Sequence, residues 1–216
     1  GGLTINGGVS YNNVMTRTRA AFAAWTTGRV SCSTSWDSVA GAAFSTPAGP
    51  DAVDGMDHFN NVIWLSGSSW THLPNELALT TTTYYTNNSE IFDADMEVNN
   101  NVTWSEDLAA NTYDAESVIL HEAGHFLGLS HSTSASAVMY RTTNQSESKR
   151  VLSGPDESDV CGVYPGSSGT QGVSCSGDAD CSSPRVCRSR SGSTSTVSFF
   201  SILETSSVET FIGRLD

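Results

Sequence analysis

The sequence predicts an α+β domain, and three observations carry that expectation. Apolar residues recur at helical spacing early in the chain, runs rich in β-branched and aromatic residues follow, and a second helical pattern holds two histidines four positions apart. The 216 residues suffice for one well-buried domain with an appendage.

The elements follow in chain order. Val14, Ala21, Phe22 and Trp25 share a helix-like spacing between about Val14 and Trp25. Pro47, Gly49, Pro50 and Gly55 then punctuate a long loop. Asn61 to Leu65 reads as a buried strand closed by Ser66-Gly67, and Leu77 to Tyr85, rich in Thr and Tyr, as a second. From Asp93 to Val98, carboxylates alternate with Ala94, Met96 and Val98, the period of a strand with one wet and one buried face. Asp93, Asp95 and Glu97 are read as a solvated face in preference to a calcium site. Asp114 is the expected N-cap of a helix running to Leu127, with Gly128 ending it. A last short helix is expected over Asp156 to Val163, stopped near Pro165.

Residues 1–165 are accordingly expected to form the main domain and 166–190 a short Cys-rich appendage. Residues 191–216 have no cysteine and no clear core pattern, and are expected to be a disordered tail. The five cysteines are Cys32, Cys161, Cys175, Cys181 and Cys187. The last three lie in a Gly/Ser/Asp-rich stretch that reads as a disulfide framework from an oxidising compartment. A zinc knuckle is disfavoured because paired Cys-x-x-Cys units are missing. An odd count leaves one cysteine without a partner in the chain.

The net charge is −13, and Lys149 is the only lysine. That balance argues against nucleic acid or an anionic membrane as partner, since both require clustered positive charge. No apolar run approaches a bilayer span. An acidic surface attracts calcium without specificity, so calcium is only a secondary candidate ion. The opening Gly1-Gly2, without an initiator Met or a signal pattern, reads as a processed segment.

The chemistry gathers in His121-Glu122-Ala123-Gly124-His125-Phe126-Leu127-Gly128-Leu129-Ser130-His131. On a helix, His121 and His125 fall on one face about 6 Å apart along the axis, close enough to share one zinc ion. Glu122 lies beside the metal without ligating it, as suits a carboxylate that takes a proton from an attacking water. Gly128 tolerates positive φ and lets the chain turn, so that His131 can supply a third nitrogen. Three protein ligands leave one position open, the mark of a catalytic rather than structural zinc.

This pattern, followed by Met139 in Ala137-Val138-Met139-Tyr140, resembles the metzincin zinc peptidases, whose signature joins such an extended histidine motif to a methionine-bearing turn. Within that clan, Ser130-His131-Ser132 and the Ala-Val-Met-Tyr turn are most similar to the matrixin branch. The resemblance implies a metzincin-like catalytic domain with a mixed twisted sheet, an early helix, the zinc-binding helix and a short C-terminal helix, around a shallow horizontal cleft. It implies a secreted zinc metalloendopeptidase acting on protein or peptide substrates, with one catalytic zinc, His121, His125 and His131 as ligands, and Glu122 as general base and acid. Met139 would be an apolar floor beneath the zinc, and Tyr140 would pack rather than ligate. Leu77, Ala78, Leu79 and Thr80 resemble the edge strand that pairs with substrate backbone.

The chain departs from the family in four places. No His-rich segment for a second zinc is seen, so His58 and His72 are read as ordinary polar histidines. No pro-segment with a zinc-blocking cysteine is visible. Cys32 lacks that context and is expected to pair with Cys161. Arg141-Thr142-Thr143 stands where a Pro-containing specificity wall is usual, which leaves substrate preference open. Two rivals remain: a binding module that kept the zinc site without hydrolysis, and a zinc enzyme acting on other bonds. Glu122 disfavours the first and the edge-strand resemblance weighs against the second.

Overall fold

A computed structural model describes residues 5–25, 60–87 and 89–164, and the backbone of 208–215. Helix α1 spans Tyr11–Ala24, α2 Ala115–Phe126 and α3 Gly154–Val163; the strands are β1 Val62–Leu65, β2 Ala78–Tyr85, β3 Ile91–Asn99, β4 Trp104–Ser105, β5 Tyr113–Asp114 and β6 Val208–Leu215. The expected α+β architecture is observed. The loop at 47–55, His58, Cys32, Cys175, Cys181 and Cys187 lie outside the described residues.

Helix α1 starts three residues before its first apolar position because Ser10 caps it, accepting the Asn13 N–H through its side chain. Val14, Thr18, Ala21 and Phe22 turn one buried face inward, and Trp25 just beyond the helix is fully buried. The indole N–H of Trp25 donates to the Leu120 carbonyl at 2.9 Å, which ties α1 to α2.

The main sheet has the order β1-β3-β2-β6. β1 runs parallel to β3, with Val62 opposite Met96, and β2 runs antiparallel to β3, with Ala78 opposite Val98. The sheet is therefore mixed, as the resemblance implied. β4 and β5 form a short parallel pair that feeds directly into α2. Ala94, Met96 and Val98 of β3 join Ile119, Leu120 and Ala123 of α2 among the buried apolar side chains. Burying one such large side chain stabilises the fold by about 1.5–3 kcal/mol.

Two expectations need correction. The wet face foreseen for β3 is not wet: Asp93 and Asp95 are buried, and Glu97 is largely covered. β3 lies inside the sheet, and neighbouring segments close over its polar side. The Asn61 N–H donates to Asp95 Oδ1 at 3.1 Å, and His72 Nε2 lies 2.9 Å from Glu97 Oε2. The disordered tail foreseen over 191–216 also fails for residues 208–215, which form β6. That strand runs antiparallel along β2, from Val208 opposite Tyr85 to Leu215 opposite Ala78. Pairing with an open strand edge uses backbone groups and needs no core pattern in the sequence.

Helix α3 begins two residues before the sequence expectation, because a capping box sets its start. Ser153 and Asp156 bond reciprocally at the first turn, with Pro155 among the opening residues. The Tyr164 hydroxyl at its end donates to the Leu127 carbonyl at 3.0 Å, joining α3 to the end of α2.

Candidate metal centre

Helix α2 carries His121 and His125 on one buried face. Asp114 caps it as expected, accepting the Ser117 N–H at 3.0 Å, and Arg150 grips the same carboxylate with two guanidinium nitrogens. The helix stops where Gly128 adopts φ +79°, and the Leu129 N–H turns back to the Gly124 carbonyl at 3.0 Å. A side chain at Gly128 would meet both that strained φ and Ile91 at 3.1 Å. The turn brings His131 back toward the helix, exposed to solvent where the other two histidines are buried.

One nitrogen from each of His121, His125 and His131 lies within 4.8 Å of the other two. His121 Nε2 and His125 Nε2 stand 3.1 Å apart. Their opposite nitrogens are spoken for: His121 Nδ1 faces the Val138 carbonyl at 2.7 Å, and His125 Nδ1 faces the Leu129 carbonyl at 2.7 Å. A carbonyl oxygen only accepts, so each Nδ1 carries the proton and each Nε2 presents a lone pair. That tautomer is the one metal ligation requires. Burial, reinforced by the neighbouring imidazoles, holds His121 well below the ordinary histidine range, and burial takes His125 down to about 4. Both rings are thus neutral at physiological pH and available to a cation.

Glu122 is wholly buried next to this cluster. Its Oε2 accepts the Thr80 hydroxyl at 2.6 Å, whereas Oε1 has no hydrogen-bond partner among the described residues. Burial pushes the carboxyl up to about 8, against the opposing pull of the Thr80 hydrogen bond. A buried oxygen with no partner among the described residues, beside three convergent imidazoles, suits a site built around a cation and its water.

Beneath the helix, Met139 is fully buried with its sulfur against Gly124, between the two helical histidines. The turn bearing it is fastened twice. The Ser132 N–H donates to the Met139 carbonyl at 2.8 Å, which links the residue after His131 to the turn. Asp156 accepts the Val138 N–H at 2.9 Å and the Met139 N–H at 3.0 Å. Tyr140 points elsewhere, its ring 5.2 Å from the Lys149 ammonium.

The structure therefore brings together His121, His125, His131, Glu122 and Met139. Leu77, Ala78, Leu79 and Thr80 are all buried, and the edge of β2 that faces away from β3 is paired with β6. His72 stays with Glu97, apart from the cluster. Among the described residues no second cluster of this kind gathers that would serve calcium. Sequence reasoning missed the side-chain role of Thr80, the carboxylate of Asp156 and the packing role of Gly124. A glycine inside a helix costs roughly 1 kcal/mol relative to alanine, and that cost between two histidines was the available signal.

Three imidazoles, two of them on a helix packed against a mixed sheet, thus converge beside a buried carboxylate, a donor set that suits a zinc ion. The model of the matrixin family matches residues 71–165, from the loop before β2 to the end of α3. That segment is a matrixin-type domain. No match was found among curated proteins. Among the described residues no helix is long and apolar enough to cross a membrane.

Proposed function

We propose that this matrixin-type enzyme holds its zinc through the Nε2 atoms of His121 and His125 and a ring nitrogen of His131, and that Glu122 is its general base and acid. One observation carries the second part: Glu122 Oε1 is buried and unpartnered among the described residues, on the residue that follows the first ligand. When bound, zinc polarises the scissile carbonyl and lowers the pKa of a coordinated water to about 7. Glu122 takes the proton as water attacks and delivers it to the departing amine. The carbonyls of Val138 and Leu129 orient the imidazoles of His121 and His125, and Met139 packs against Gly124, which lies between them in the chain.

An extended peptide is the substrate form we infer, pairing with the edge of β2 at Leu77, Ala78, Leu79 and Thr80. β2 runs alongside α2, and its Thr80 and Thr82 hydroxyls bond to Glu122 and to the His125 carbonyl. We further propose that the enzyme is secreted. The cysteines grouped at 175, 181 and 187 support this, as does Cys161, which is disulfide-bonded.

The test is Glu122→Gln in purified, zinc-loaded protein. Zinc per chain is expected to stay at the parental level while peptide hydrolysis falls by at least about 10²–10⁴-fold, the usual worth of acid–base catalysis. Near-parental turnover by E122Q would remove Glu122 from the mechanism. Loss of His125 is expected instead to abolish zinc retention.

A further inference from the structure

The geometry points to Thr80 as a positioning residue that selects which oxygen of Glu122 handles the proton. The inference rests on the reading of Glu122 as the base.

Thr80 lies on β2 with its side chain directed at α2, and none of it is exposed. Its hydroxyl has one proton and two acceptors within reach, Glu122 Oε2 at 2.6 Å and the Glu122 carbonyl at 3.4 Å. The nearer acceptor is the stronger one, because a hydrogen bond to a carboxylate is shorter and stronger than one to a neutral carbonyl. The terminal torsion of a glutamate is broad and roughly two-fold, so an unanchored carboxylate exchanges its oxygens easily. With Oε2 held by Thr80, rotation costs that hydrogen bond, and Oε1 is the oxygen left without a partner among the described residues.

Two residues along the same face, the Thr82 hydroxyl donates to the His125 carbonyl at 2.9 Å. The pair straps β2 to the metal-binding helix at the base and at the second histidine. Any peptide aligned on β2 is thereby placed in a fixed register to the one free oxygen of Glu122. A leucine or alanine at position 80 would fill space on the strand but leave the carboxylate unanchored.

The test compares zinc-loaded Thr80→Val, Thr80→Ser and Thr80→Ala with the parent. Valine keeps the shape and lacks the hydroxyl; serine keeps the hydroxyl and lacks the methyl. T80V is expected to lose about 10- to 100-fold in kcat, the worth of one hydrogen bond to a charged group. KM and zinc per chain should stay at parental values, and T80S should recover most of kcat. Should T80V not fold, T80A carries the same expectation. In the metal-free chain, the melting shifts of T80V and E122Q are expected to be non-additive, since both substitutions act on one hydrogen-bonded pair. Parental kcat in T80V, equal losses in T80V and T80S, a change confined to KM, or additive melting shifts would each overturn the inference. An inactive E122Q beside an unimpaired T80V removes Thr80 alone; an active E122Q removes the reading of the base.

Discussion

Gly124 and Met139 share one volume: a Cβ on Gly124 would lie 2.3 Å from the sulfur of Met139 and 3.0 Å from its methyl carbon. The ring of Trp25 stands at 3.0 Å on the same spot. The helix can approach the Met-bearing turn this closely only because the residue between its two histidines has no side chain.

Gly124→Ala is therefore expected to destabilise, although alanine is the better helix former. Overpacking a tight core costs about 1–3 kcal/mol, which outweighs the roughly 1 kcal/mol gained in helix propensity when the neighbour cannot yield. Met139 and Trp25 are both fully buried and have little room to move, so pairing the change with Met139→Ala, which removes the nearest atoms, should recover part of the loss. Denaturant unfolding of the two single variants and the double one checks this. An unchanged midpoint for G124A would show that the turn has room to spare.

Asp156 acts on the metal cluster through Val138. Its carboxylate takes the Val138 N–H, while the carbonyl of the same residue takes the Nδ1 proton of His121. Asp156→Ala would strand the buried N–H groups of Val138 and Met139 and loosen the acceptor that orients His121. Removing a group that orients a ligand typically weakens metal binding about 10- to 100-fold. Competition against a chelator of known affinity measures it, and unaltered zinc affinity in a folded D156A would refute the linkage.

Acid should destabilise the metal-free chain. His125 is held at about 4 by burial against an ordinary 6.5, and His121 is lowered as well. Below about pH 6.5 the unfolded chain takes up protons that the folded chain refuses. Stability therefore falls as pH falls, and the contribution of His125 levels off below about pH 4. Melting temperature followed across this window after chelation should slope downward toward acid. Replacing His125 with Phe should flatten that slope.

Glu122 has the opposite sign. Its carboxyl is pushed up to about 8 by burial, so above about pH 4.5 the unfolded chain releases a proton that the folded chain keeps. Stability is lost as pH rises toward 8. In the metal-free chain, Glu122→Gln is expected to raise the melting temperature at pH 8 and to change it little at pH 4.5. Equal effects at both values would mean that burial does not perturb this carboxyl.

The clustering of His121, His125 and His131 was legible in the sequence because everything that builds it is local. Helical period sets His121 against His125, and Gly128 returns His131 within one turn. Thr80 and Asp156 were not legible in their roles, since each meets its partner only when β2 or α3 packs against the site. β3 shows the same divide. Its alternation was read correctly as a strand, but which segments would cover Asp93 and Asp95 is decided by tertiary structure, not by period. β6 escaped notice because its backbone, rather than any apolar pattern, makes the pairing with β2.

That pairing has a consequence for substrate. β6 runs antiparallel along the edge of β2 that a substrate peptide is proposed to use, with Gly213 opposite Thr80 and Phe211 opposite Thr82. The Thr80 and Thr82 side chains hydrogen-bond to α2, so β6 passes along β2 at the level of the site. A peptide and β6 cannot both satisfy the same row of backbone groups, and binding of one displaces the other. A chain ending at residue 207 is therefore expected to show a lower KM for an extended peptide than the chain through residue 216, with kcat little changed. A synthetic peptide of the sequence 208–215 added to the shortened enzyme should raise KM again without lowering kcat. If shortening leaves KM unchanged and the added peptide does not compete, substrate does not bind along this edge of β2.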